Sequence, residues 1–390
     1  MANGLDKNQI LINKERLIRE FMHLVSYDSE SFGERQIADY VKGELTKLGL
    51  AVEEDDAAER LSGTAGNIYG FLPGNLPKES SVRPVLLSSH LDTVKPGIGK
   101  KAVRHEDGRI TSDGKTVLGA DDAAGLAEII EVLRVIKEAD LPHPDIEVLF
   151  PVAEEPYAQG SRVFDYGRIK ADTAYVLDMS GPVGRAAVAA PAIYSLVIRV
   201  YGKSAHAGFC PEEGIHAIRI AAEAIAEIRQ GHIDETTTVN IGTIEGGTAR
   251  NIVPELVTVT GEIRSMDAGK ALTEIEKIKG IFEASAKEHG GIAEFAVTEE
   301  FSSYRIGSGE YVVTRFKEAC EKLGFSGALE ETFGGSDNNH FTAHGIRGIV
   351  VANAMNEVHT TDEWTHEDEL VRAAGLTLLL ATEKTKEDET

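Results

Sequence analysis

Cysteine is almost missing from this chain: Cys210 and Cys320 are the only two in 390 residues. Two isolated thiols make no disulfide framework, so a reducing, cytoplasmic setting is the expectation. No apolar run is long enough to span a bilayer, and the opening Met1-Ala2-Asn3-Gly4 lacks the charged-then-apolar pattern of a secretory leader. Positive charge is short as well, with 40 Lys and Arg against 64 Asp and Glu, a net charge of −24. That balance repels phosphate backbones and anionic lipid, which argues against nucleic acid and membrane as partners. Tandem repeats and low-complexity linkers are not found. What is there is an ordinary globular composition, 42% hydrophobic and 27% charged, on a chain long enough for two domains.

Two amphipathic helices open the chain, at residues 13–25 and 33–48; in the second, Ile37, Val41, Leu45 and Leu48 recur at helical spacing before Gly49 stops it. Short apolar runs at 67–71, 82–88, 146–152 and 174–177 read as strands buried on both faces. A helix from Asp121 to about Ala139 lies among them. Strands alternating with helices imply an α/β domain whose ligand site lies at the carboxyl ends of the strands. The rhythm changes near Gly181. Strands at 194–201, 237–244, 256–263 and 292–298, with helices at 211–229 and 268–289, follow in the order βαββαβ, a split-βαβ (ferredoxin-like) unit. The expectation is a mixed, largely parallel sheet flanked by helices over residues 1–184 and 299–390, with the split-βαβ domain inserted at 185–298. The α/β pattern resumes with a helix near 309–323, a strand at 348–351 and a helix near 367–381. The tail, Glu383–Thr390, is charged and expected to fray.

Polar residues cluster where the first domain's strands run out. In Leu86–Val94, an apolar run ends in His90 and Asp92, which share a face at period two. This suits a metal-binding imidazole whose other ring N–H is held by a carboxylate, although a strand end carrying polar residues has the same pattern. Four more clusters change that balance. Asp121-Asp122 stands at a helix start, where one acid fits an N-cap and the other faces the site. Glu154-Glu155 follows an apolar strand, and paired acids there are costly unless a cation or a shared role compensates, though Glu-Glu on a solvated loop is common. Asp178 ends another strand, and Asn356–Glu363 forms a late polar loop carrying His359. Imidazole and carboxylate without cysteine suit zinc or related divalent ions. One acid bridging two ions, each completed by one His and one acid, makes a two-metal hydrolytic site. Of Glu154-Glu155, one residue would then sit on a metal and its neighbour would be free to move protons.

These motifs, in this order, resemble those of the co-catalytic di-zinc metallopeptidase superfamily that includes peptidase T, carboxypeptidase G and aminoacylase. The resemblance spans about residues 15–380 and extends to Gly202-Lys-Ser-Ala-His206-Ala-Gly208, Gly246-Gly-Thr-Ala-Arg250-Asn251-Ile-Val-Pro254 and Phe333-Gly-Gly-Ser336-Asp337. Its closest flavour is peptidase T-like. It implies two divalent metal ions, zinc foremost with cobalt or manganese as alternatives. His90 and Asp178 would hold one, Glu155 and His359 the other, and Asp121 would bridge them. Asp92 would orient His90, Glu154 would act as general base and then acid, and His206 would hydrogen-bond the oxyanion, a role that in some members falls to the partner subunit. Arg250 and Asn251 would bind the substrate carboxylate or backbone, and Ser336 belongs to the substrate-side loop. His206 also fits a plain loop histidine, Arg250 a surface ion pair and the glycines near 334 a simple turn. Two positions depart from the family pattern: Ala123 stands where lysine is usual, and Pro156-Tyr157 stands where glycine is usual.

The reaction so implied is metal-dependent hydrolysis of the N-terminal peptide bond of short peptides, with metal-bound water as nucleophile and Glu154 as base. An N-acyl amino acid deacylase is the nearest alternative, and a non-catalytic metal-binding homologue is the alternative of a different class. A short peptide is the expected partner. The exposed strand of the inserted domain allows a homodimer through edge pairing.

Overall fold

The structure, a computed structural model, describes residues 11–76 and 82–382; the acidic tail from Glu383 lies outside them. The chain divides into two compact units, the first running through Ala189 and including Arg305–Glu331 and the chain from Ser336 on, the second comprising Ala190–Tyr304 and Thr332–Gly335.

In the first unit, four parallel strands form the middle of a nine-stranded sheet: Ile146–Phe150, Val85–Ser88, Thr173–Met179 and Arg347–Ala352. Ile68–Leu72 and then Ala51–Glu54 extend one side antiparallel. On the other side Arg185–Ala190 pairs antiparallel with Arg347–Ala352, and takes Ala328–Glu331 and Tyr304–Arg305 as further neighbours. The central strands are apolar runs buried on both faces because helices cover them. Ala120–Glu138 packs on the sheet and is itself covered by Lys14–Val25 and Glu367–Thr382, which is why nearly every residue of it is buried. Glu147 breaks the apolar pattern. It is fully buried in its strand, where its carboxylate accepts from the Tyr69 hydroxyl and from the backbone N–H groups of Lys170 and Ala171.

The second unit is a five-stranded antiparallel sheet in the order Gly231–His232, Thr237–Gly246, Leu256–Ser265, Ala192–Tyr201, Ile292–Phe301. Helices Ala217–Glu227 and Ala268–His289 pack together and on the sheet, around Leu196, Ile198, Ile220, Val259, Ile275 and Phe282. Apart from the two-residue strand Gly231–His232, the order is the βαββαβ that the sequence pattern predicts. The division falls at Ala190 and Tyr304 rather than at 185 and 298, because Arg185–Ala190 joins the first sheet and the last strand runs on to Phe301. The helix expected at 211–229 is shorter. Pro211–Glu213 is a separate 3₁₀ turn, Gly214 lies where a side chain would strike Val253, and the His216 side chain caps the helix by accepting from Arg219 N–H at 3.2 Å.

Candidate metal centre

His90 follows strand Val85–Ser88, Glu154 and Glu155 follow Ile146–Phe150, Asp178 lies near the end of Thr173–Met179, and His359 sits in the loop after Arg347–Ala352. All four strands are parallel, so their carboxyl ends meet at one edge of the sheet. Asp121 enters from the irregular first turn of the long helix. The backbone there is not yet helical, with φ −81° and ψ 95° at Asp121 and φ −125° and ψ 32° at Asp122, which lets the two side chains diverge.

The result is two groups sharing one acid. His90, Asp121 and Asp178 offer ligand atoms within 4.8 Å of one another, and so do Asp121, Glu155 and His359. Asp121 Oδ1 is 2.9 Å from His90 Nε2, and Asp121 Oδ2 is 3.1 Å from His359 Nε2. One carboxylate therefore turns an oxygen to each side. Asp178 Oδ1 lies 3.9 Å from His90 Nε2 and Glu155 Oε2 lies 3.0 Å from His359 Nε2. Burial favours raising Asp121, but hydrogen bonds from His359 and His90 overcome it and hold the acid below the usual carboxylate range. Burial pushes Asp178 well above that range, and the nearby Asp121 charge adds to it. Glu155 is raised by burial, against its bond to His359. His359 is pushed up to about 10 by its bonds to Asp121 and Glu155. His90 is raised despite its burial, by its bonds to Asp121 and Asp92.

Glu154 belongs to neither group. It is buried, and burial pushes its carboxyl well above the ordinary range, with repulsion from Asp178 adding to the rise and His90 opposing it. Asp92 does less for His90 than the His-x-Asp pattern predicts. His90 Nδ1 is 3.0 Å from the backbone carbonyl of Asp92 and 3.4 Å from its carboxylate. That carboxylate instead accepts from Glu154 N–H at 2.8 Å, Glu155 N–H at 3.2 Å and the Ser31 hydroxyl at 2.7 Å. It thus fixes the Glu-Glu corner.

The remaining sequence-predicted residues are placed differently. Ser336 caps helix Asp337–Ala343, its hydroxyl oxygen accepting from Asn338 N–H, while Asn339 Oδ1 accepts from Ser336 N–H at 3.1 Å. His206, Arg250 and Asn251 lie in the second unit, exposed on two adjoining loops joined by Ala207 N–H to Asn251 O at 3.0 Å. His206 Nδ1 accepts from Gly208 N–H and Phe209 N–H, at 3.1 and 3.2 Å. Those bonds place the ring proton on Nε2 in the neutral imidazole.

Three residues have supporting roles that the sequence reading does not assign. Glu363 accepts from Gly119 N–H at 2.7 Å and Asp121 N–H at 3.0 Å, tying the His359 loop to the bridging acid. Asn353 joins Asp122 to the Asp178 strand. Asn67 accepts from Val152 N–H and donates to Gly160 O, bracing the Glu154-Glu155 corner from both sides. Residues of that corner and of the His359 loop hold positive φ without being glycine: Ala153, Tyr157, Ala158, Ala354, Glu357 and His359 itself. Each such residue costs on the order of 1–3 kcal/mol and persists only where surroundings over-determine it.

Comparison with known proteins agrees with this architecture. The family model described as peptidase dimerisation domain matches residues 189–290, and that of peptidase family M28 matches residues 67–214. The crystal structure of aminopeptidase PepT from Bacillus cereus is 42% identical with a TM-score of 0.86, covering 95% of this chain and 98% of that one. A tripeptidase structure from Staphylococcus aureus is 37% identical with a TM-score of 0.90 over the same shares. The Bacillus subtilis protein YqjE, itself uncharacterised, is 38% identical over 96% of this chain and all of its own. The chain belongs to the peptidase T-like metallopeptidases. Its general activity is accordingly hydrolysis of peptides.

Proposed function

We propose that the chain is a two-metal aminopeptidase that removes the N-terminal residue of short peptides, tripeptides above all. The observation that carries this reading is the Asp121 carboxylate, with one oxygen toward His90 and the other toward His359 while Glu154 stays outside both groups. The donor set fits divalent ions. It is imidazole nitrogen and carboxylate oxygen only, and Glu155 Oε1 is buried with no hydrogen-bond partner, so a cation would satisfy what the protein does not. His90, Asp121 and Asp178 would hold one ion and Asp121, Glu155 and His359 the other. Zinc suits them, with cobalt or manganese as substitutes.

Such ions supply Lewis-acid stabilisation and lower the pKa of a coordinated water toward about 7. Glu154 takes the proton from the attacking water and returns it to the departing amine, a task matched by a carboxyl raised through burial. His206 offers its Nε2–H to the developing oxyanion. Arg250 and Asn251 receive the peptide's carboxylate or backbone. The second unit is the candidate surface for a homodimer, as the match to a dimerisation domain suggests. The cytoplasm is the fitting compartment for a chain whose two cysteines are both free.

The aminopeptidase and tripeptidase names of the two similar structures favour this over deacylation of N-acyl amino acids. A panel of di-, tri- and N-acetylated peptides, assayed with zinc, cobalt or manganese, decides it: free tripeptides should be cleaved and their N-acetyl forms should not. In the same panel E154Q should lose turnover by a thousandfold or more while retaining both ions. Full turnover by E154Q would remove Glu154 from the mechanism, and preferred cleavage of acylated substrates would reverse the assignment.

A further inference from the structure

We propose that Asn353 is a positioning residue for one ion alone, the one held by His90 and Asp178. The inference rests on the two-ion reading above and deepens it. Asn353 is fully buried just past the end of strand Arg347–Ala352, with its backbone N–H on Met179 O at 3.2 Å. Its Nδ2 group donates twice, to Asp122 Oδ1 at 2.6 Å and to Leu177 O at 2.8 Å. Both partners are acceptors, so the amide's orientation follows from chemistry: the amino group, not the oxygen, must face them.

Each bond fastens a segment that carries a ligand. Leu177 immediately precedes Asp178. Asp122 in turn accepts from His90 N–H through Oδ2 at 3.1 Å, and its backbone carbonyl accepts from the Ser89 hydroxyl at 3.0 Å. One amide therefore locks the Asp178 strand, the Asp121-Asp122 turn and the His90 segment to a fourth strand. The bond to Asp122 is charge-assisted when that acid is ionised, and strong for being buried. Nothing comparable runs from Asn353 to Glu155 or His359, the residues that belong to the other ion alone. The backbone N–H of Glu155 is held by Asp92, and the His359 loop is tied to the N–H of Asp121 by Glu363. The two halves share the bridging acid and Asp92, whose carbonyl meets His90 Nδ1 while its carboxylate holds Glu155 N–H, but the Asn353 amide serves the first half alone.

The consequence is selective. Without the amide donor, Asp122 and the Leu177 carbonyl lose their common partner, and the His90–Asp178 half loosens while the Glu155–His359 half keeps its bracing. Loss of a group that orients ligands typically weakens metal binding by 10–100-fold. The test measures cobalt affinity by visible absorption and chelator competition in two backgrounds that isolate the halves. In H359A, which leaves His90, Asp121 and Asp178, adding N353A should weaken binding by at least tenfold. In H90A, which leaves Asp121, Glu155 and His359, adding N353A should change affinity by less than threefold. The near-isosteric N353L, which removes the donors without opening a cavity or adding a charge, is measured in parallel and should reproduce the selectivity. Equal weakening in both backgrounds would make Asn353 a general scaffold residue and overturn the inference, as would wild-type affinity in both. Absence of cobalt uptake by the unsubstituted chain would instead overturn the two-ion reading, and this inference with it.

Discussion

Glu34 illustrates how a single buried acid supports the centre without joining it. It is fully inaccessible, its Oε1 accepts from Phe32 N–H at 2.7 Å and Ala153 N–H at 3.0 Å, and its Oε2 has no partner. Burial, with the charge of Asp92 behind it, raises its carboxyl from the ordinary 4.5 to about 7. The folded protein thus holds this proton to higher pH than the unfolded chain does. The stabilising contribution is complete below pH 4.5 and is lost as pH rises through 7, by on the order of 3 kcal/mol. E34Q cannot ionise, so its stability relative to the parent should be about 2.5 kcal/mol greater at pH 8 than at pH 5, measured by urea unfolding at both. A difference independent of pH would show that Glu34 titrates normally. At this scale, legibility in the sequence follows the kind of bond a residue makes. His90, Asp121, Glu155, Asp178 and His359 announce themselves by chemical type, at strand ends, a helix start and a late polar loop. Glu34 and Glu363 act on backbone N–H groups, and Asn67 and Asn353 on backbone groups and a carboxylate far away in sequence, so no local pattern assigns these roles. Asp92 shows both cases: its type suggests a partner for His90, yet its carboxylate chiefly serves the backbone of Glu154 and Glu155.

Among elements, the long helix Ala120–Glu138 sits close enough to the sheet that Gly125 has no room for a side chain. A Cβ there would lie 2.7 Å from Leu177 O and 2.8 Å from both Asp122 Oδ1 and Ser89 Oγ. G125A should cost about 1–3 kcal/mol by overpacking and should lower metal content at a fixed ion concentration, because the atoms displaced are those that hold the Asp121 turn. Unfolding by urea alongside metal analysis checks both, and an unchanged variant would mean the helix shifts freely. The long helices and central strands are readable from periodicity, since burial on one or both faces writes itself into the apolar pattern, whereas the short helices Ala57–Leu61, Gln159–Val163 and Asp337–Ala343 are not. The strands Ala51–Glu54, Arg185–Ala190 and Ala328–Glu331 are not. They lie outside the parallel core, and two of them, Ala-Val-Glu-Glu and Ala-Leu-Glu-Glu, carry as many acids as apolar side chains. The Glu154–Gln159 corner is hidden for another reason: its turn uses Tyr157 and Ala158 at positive φ, where glycine would have advertised the bend.

For the molecule as a whole, the centre gathers acidic side chains that burial and mutual repulsion disfavour as ions, so divalent cations should contribute to stability as well as to chemistry. Dialysis against a chelator should lower the thermal midpoint, and zinc restored at a thousandfold above its dissociation constant should return about 4 kcal/mol. Calorimetric scans before and after stripping would measure this, and an unmoved midpoint would count against ions seated at these residues. The two-unit organisation is legible from the change in strand rhythm near Gly181. The exact seams are not, because Arg185–Ala190 has the composition of either sheet and only pairing assigns it. No helix among the described residues is long and apolar enough to cross a membrane.

The shared Asp121 leaves the pair of cation pockets with a common pivot. Its two oxygens are rigidly linked and face opposite ways, so a small rotation that tightens the grip on one side slackens it on the other. The stiff turn that carries this carboxylate, its backbone held at Gly119 and Asp121 by Glu363, therefore sets the balance between the pockets.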